Sequence, residues 1–299
     1  MSARPLLPSL LILVLVGLAP PARAQEGHTL AYKSTDGEEV GWRLTSKGAG
    51  KVEMKQGETS QTQDLAVDMR VEYQTTGVAK DAAWSFDFAL TLLAIKQTQD
   101  GVTGADMELT GTGAKMNGQP QPPSPQLDAA IAAFDKPAVR FSSPPSGADL
   151  STEQLLELPL DVAPMVGLLL PVLPADGAPK AVGEKWKGKR AIYSDLKLDP
   201  PPVIELEYVL EKVEGGIAEI AVSGKLELAD RTATNRAGVS VKIDRATYEV
   251  TGGFEFDVAA GSLAGTKLTL DTTLEMAPPG AGSVKLQMPA DYVLDRKKD

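Results

Sequence analysis

Along most of this chain apolar and polar residues alternate with a period of two, and that pattern limits the fold more than any other feature. A side-chain period of two belongs to an extended strand with one dry and one wet face. Leu65, Val67, Met69, Val71 and Tyr73 make one such face, with Ala66, Asp68, Arg70 and Glu72 opposite. The same alternation runs through Trp84–Leu92, Ile204–Leu210 and Ile220–Leu228, then around Val239–Ile243, Phe254–Val258, Leu268–Leu270 and Val284–Met288. Clean alternation marks antiparallel sheets, because parallel strands are buried on both faces and read as solid apolar runs. Asp100-Gly101 and Gly215-Gly216 fall between such runs and supply the positive φ of tight hairpins. Gly48 with Gly50, and Thr251-Gly252-Gly253, are expected to turn the chain in the same way.

The expected fold is therefore mainly β: antiparallel meander sheets in a bilobed or half-barrel-like body, with one or two short helices in the middle of the chain. Ser124-Pro125 suits the start of a helix over Gln126–Phe134. A strand is expected over Ala138–Ser143. Ser151-Thr152-Glu153-Gln154 has the form of a capping box and predicts a second helix reaching about Leu158. Residues 25–118 and 176–299 form two β-rich stretches, joined by a Pro-rich linker with short helices and an apolar segment at 119–175. Gly101-Val102 and Gly216-Ile217 open similar runs in the two halves, a likeness too uneven in spacing to count as a repeat.

Residues 1–24 have the layout of a secretory signal peptide: Arg4, an apolar run from Leu6 to Ala19, then Pro20-Pro21 and the small-residue site Ala22-Arg23-Ala24. The apolar run is shorter than the ~20 residues of a spanning helix. Cleavage before Gln25 and an exported, periplasmic or secreted protein without a transmembrane anchor are the expectations. The chain has no cysteine, so neither disulfides nor thiol chemistry are available. Without Arg4 and Arg23, 28 Lys and Arg face 40 Asp and Glu, a net charge of −12. Such a surface repels phosphate backbones, and no nucleic-acid partner is expected.

Leu170-Pro171-Val172-Leu173-Pro174 followed by Pro179-Lys180-Ala181-Val182-Gly183-Glu184-Lys185-Trp186 resembles a passage of an uncharacterised group of exported bacterial proteins. That group carries a β-rich lobe on either side of a P…K-x-V-G-x-x-W passage. The resemblance implies fold and export and brings no catalytic residues with it.

Catalytic motifs are scarce. His28 is the one histidine, close to the expected cleavage site, where a chain terminus is usually too mobile to position a base. Gly261-Ser262-Leu263-Ala264-Gly265 places its serine one position out for a nucleophile elbow and reads as a loop between strands. No metal-ligand cluster, dinucleotide fingerprint or phosphate loop is present, and no cofactor is expected. A carboxylate-dependent hydrolase stays open in principle, but no acidic pair stands out. Aromatics, at 5%, are few for sugar stacking.

The most informative positive feature is the apolar middle: Val162, Met165, Val166, Leu168, Leu169, Leu170, Val172 and Leu173. It reads either as a plug on the dry face of a sheet or as the lining or cover of a cavity for an apolar ligand. Trp42, Trp84 and Trp186 fall in strand patterns and read as sheet anchors. The sequence favours non-catalytic binding of a hydrophobic ligand or of an envelope protein. A structural envelope component acting through its sheet edges is the alternative.

Overall fold

The alternating runs form strands that are long. In the computed structural model, which describes residues 27–78, 84–158, 163–175, 177–192, 197–198, 200–234, 239–277 and 282–297, they become β1 (Glu39–Gln56), β2 (Thr59–Gly77), β3 (Trp84–Gln99), β4 (Val102–Thr110), β5 (Gly113–Met116) and β6 (Gln119–Pro120). After helix α1 (Pro125–Ile131) come β7 (Pro137–Ser143), β8 (Ser151–Gln154) and helix α2 (Ala163–Leu168). The chain ends with β9 (Lys185–Ala191), β10 (Lys197–Leu198), β11 (Val203–Glu214), β12 (Ile217–Thr234), β13 (Ser240–Asp257), β14 (Ser262–Ala277) and β15 (Ser283–Arg296). The expected signal peptide and Val162 lie outside the described residues.

All the strands belong to one antiparallel sheet, in the order β6-β5-β4-β3-β2-β1-β15-β14-β13-β12-β11-β9. Strand β7 pairs with β3 and β8, and β10 with β12. The two β-rich stretches meet where β1 pairs with β15, from Trp42↔Arg296 to Lys55↔Ser283. The sheet is open, since its end strands β6 and β9 do not pair with each other. It is nevertheless strongly curled. The Tyr32 ring stacks on Trp84 of β3, with centroids 4.2 Å apart, and meets Phe256 of β13 edge-on at 5.3 Å. Those strands are five places apart, about 24 Å in a flat sheet. One ring touches both only because the sheet wraps round to meet it.

Four local expectations change. Ser151–Gln154 is a strand, not a helix start: it pairs with β7 from Ser142↔Ser151 to Val139↔Gln154, and the Ser151 hydroxyl donates to the Ser142 carbonyl. A capping box is a local preference, and here an unpaired strand edge offered more hydrogen bonds. The second helix instead lies at Ala163–Leu168, inside the apolar middle, while the helix capped by Ser124 forms as expected and its hydroxyl accepts from Leu127 N. Gly48, Gly50, Gly252 and Gly253 do not turn the chain, for β1 and β13 run straight through them. Ser262 to Gly265 are likewise strand rather than loop, with only Gly261 left in the turn.

Close strand approach explains the two glycine positions. A Cβ on Gly50 would lie 1.9 Å from the Gln287 carbonyl oxygen, and one on Gly252, whose φ is +136°, 2.1 Å from that of Lys267. Glycine inside a strand marks such contacts. Gly50→Val is therefore expected to lower stability by about 1–3 kcal/mol or more. Gly104→Ala, where the nearest atom to an added Cβ is 4.0 Å away, should melt like the parent protein. Parallel thermal melts of the two variants check this.

Candidate functional site

The inward face of the curled sheet is filled at one end by three chain segments with no long element of their own. The first is the stretch ahead of β1, where Leu30 and Tyr32 are buried. His28 pairs its backbone with Lys180 in an isolated bridge, with N–O distances of 2.8 and 2.9 Å, so this stretch is not the loose terminus expected from its position. Burial of Leu30 and Tyr32 two and four residues later is what ties it down. The second segment follows β7, and the third is α2 with the residues after it.

Met165, Val166, Leu168, Leu169, Leu170, Val172 and Leu173 are all buried in the main core, and the structure brings them together in this third segment. Four consecutive carbonyls beyond its short helix accept hydrogen bonds from side chains around them. Thr266 Oγ1 of β14 donates to Leu169 O at 3.1 Å, and Arg190 of β9 donates to Leu170 O through Nε at 3.2 Å and Nη2 at 3.1 Å. Pro171 O takes the Tyr32 hydroxyl at 3.1 Å and Arg190 Nη2 at 3.3 Å, and Val172 O takes Trp186 Nε1 at 2.6 Å. Burying such carbonyls unpaired would be costly. Burial pushes the Arg190 guanidinium below its ordinary pKa, while Tyr208, Tyr32 and Asp149 nearby act in the opposite sense. Arginine nevertheless stays protonated in proteins.

Beside the plug lies a cavity of about 90 Å³, lined by Val166 and Leu170 together with Tyr32, Trp42, Tyr73 and Trp84. Arg296 closes one side, its guanidinium 5.4 Å from the Trp42 ring centroid. Arg296 Nη2 donates to the Ser262 hydroxyl at 2.7 Å and to Leu263 O at 2.8 Å. Ligand pockets usually measure about 300–1,000 Å³, so this cavity admits only a small group.

The other half of the inward face, toward the hairpin tips, is built differently. Reading across the register, Met54, Val284 and Met276 form one row and Val52, Leu286 and Leu274 the next. Met69, Ile95, Met107 and Met116 form another toward the β6 edge. Except for the buried Leu274 and the exposed Met116, these side chains are half-buried. Six of the eight methionines of the chain, at 54, 69, 107, 116, 276 and 288, lie on this face. On β1 to β5, β14 and β15, among the described residues, no Asp, Glu, Lys or Arg faces inward between the Ser46–Met69 row and the tips. The charges of these strands, such as Lys51, Glu53, Asp68, Glu108 and Lys285, point outward.

Sequence reasoning located the plug but missed this second surface, although the placement of every methionine on the dry face of its strand was there to be read. It also missed Arg190, whose strand pattern gives no hint of a buried cation. The passage that carries the family resemblance has a structural role: Gly183 turns the chain at φ +90°, and Trp186 enters β9 to hold the plug. No helix among the described residues is long and apolar enough to cross a membrane.

No protein family matches this sequence, and no curated protein matches it either. A solved structure concerned with lipid–protein interactions in lipovitellin is similar over 89% of this chain, at 10% identity and a TM-score of 0.47. The likeness covers 26% of the lipovitellin chain, so this chain spans about a quarter of that protein's length.

If the apolar middle is the keystone of the filled end, Leu169→Asp should abolish cooperative folding, because the new carboxylate has no partner there. Leu169→Ala should lower stability by about 2–5 kcal/mol. Chemical denaturation read by tryptophan fluorescence measures both, and parent-like stability of Leu169→Asp would show that the segment is not part of the core.

Proposed function

We propose that this is an exported, non-catalytic binding protein that holds an apolar ligand against the tip half of its inward sheet face. The observation that carries the reading is the methionine-bearing surface there, half-buried and without inward charge on β1 to β5, β14 and β15 toward the tips. Extended apolar surface left open in this way is uncommon unless something binds it. Methionine adapts its shape to varied partners and recurs at surfaces that accept more than one ligand. The signal-peptide pattern of residues 1–24 supports export.

The sheet edges favour this reading over docking through added strands. Strand β9 carries exposed Lys185, Lys187 and Lys189, two of them in ion pairs with Glu207 and Glu205 at 2.7 and 2.6 Å. At the opposite end β6 is two residues long and ends in Pro120. Lysines, short strands and proline are how edges are kept from pairing with other chains.

Titration with an apolar fluorescent probe should show saturable binding to the folded protein. Met54→Asp should abolish that binding with the melting temperature within a few degrees of the parent, and undiminished binding by the variant would overturn the assignment of the site. N-terminal sequencing of protein recovered outside the cytoplasm should begin at Gln25, and an intact Met1 there would overturn the processing.

A further inference from the structure

The tip half of the inward face has a chemically distinct rim, and the rim bears on what kind of molecule the apolar surface holds. Toward the β2 and β3 tips the inward positions change from aliphatic to carboxamide. Gln61 lies across from Met54 and Gln63 from Val52, while Gln97 lies across from Val67 and Gln99 from Leu65. Four glutamines thus border the apolar rows directly. Gln99 Nε2 donates to Gln63 Oε1 at 2.6 Å, which fixes that pair side by side and leaves the Gln63 amide and the Gln99 carbonyl for other partners. Gln61, Gln97 and Gln99 are exposed.

We propose that the site takes an amphiphile with an uncharged, hydrogen-bonding head group, its tail on the methionine rows and its head on these carboxamides. The inference rests on the apolar site proposed above and adds the class of head group. A carboxamide both donates and accepts, which suits the hydroxyls of a polyol or sugar and the groups of an amide. The inward cations lie away from this rim, Arg296 beside the plug and Arg231 on β12 at the far end of the Met54 row. A phosphate, carboxylate or quaternary ammonium head on the glutamines would find no counter-charge beside it, and partial burial of an unpaired charge is costly. Toward the tips the charged residues of the same strands face the other side of the sheet, where some pair with each other: Arg43 with Glu72 at 3.1 Å and Lys115 with Glu108 at 2.8 Å. The surface thus separates tail from head by position, with uncharged carboxamides at the head end.

Three single-chain amphiphiles with the same decyl tail test this below their micelle concentrations: decyl maltoside, decyl phosphate and decyltrimethylammonium, each displacing the apolar fluorescent probe. The maltoside is expected to bind at least about tenfold tighter than either charged compound, the worth of one or two net hydrogen bonds. The double variant Gln63→Ala/Gln99→Ala should weaken the maltoside by about the same factor and leave affinity for the head-less probe unchanged. Equal or tighter binding of a charged compound, or a double variant with undiminished maltoside affinity, overturns the head-group assignment while the apolar site stands. Failure of the probe and of all three amphiphiles to bind overturns the apolar site and this inference with it.

Discussion

Four successive backbone carbonyls, from Leu169 to Val172, hold this structure together by accepting side-chain hydrogen bonds from opposite flanks of the sheet. A curled sheet without enclosing helices needs something to curl around. The apolar middle fills that place, and it carries a row of carbonyl oxygens past the end of its short helix. Thr266, Arg190, Tyr32 and Trp186 supply the missing donors, so the plug is fixed to β14, β9 and the stretch ahead of β1 at once. Arg190 is the costliest of these to bury. Its guanidinium bridges two adjacent carbonyls, which a single-donor side chain does not do.

Because the plug fills one end, the inward face is divided. Near the plug, aromatic rings from distant strands close around Tyr32, and the remaining void is small. Toward the tips the same strands continue past the plug, and most of their methionines and valines are half-buried. The functional reading depends on this unequal filling: a largely apolar face is met by the plug over only part of its length.

Much of the fold was legible because β periodicity is a local property. Leu65 to Tyr73 alternate in the sequence and alternate between the two faces of the sheet in β2. The glycines were misleading for the opposite reason. Gly50 and Gly252 are glycine because a neighbouring strand's carbonyl sits where a Cβ would go, and that neighbour lies more than two hundred residues from Gly50. Ser151–Gln154 failed in the same way, since the β7 edge that claims it is a tertiary fact. For the site, the apolar middle announced itself by composition. The open half did not, because its residues look like any other dry strand face, and only the extent of the plug reveals that they are left uncovered.

The placement of Tyr32 has a kinetic consequence. Its amide donates to Pro145 O, its hydroxyl to Pro171 O, the next residue's amide to Gly261 O, and the strand that follows pairs with β15. The segment made early therefore finds its partners only after the segments made late have emerged. Contacts of such sequence separation slow folding, since the loops between them must close before any stabilisation is gained. A partly synthesised chain can pair β1 to β6 in sequence, but the β1–β15 seam waits for the final strand.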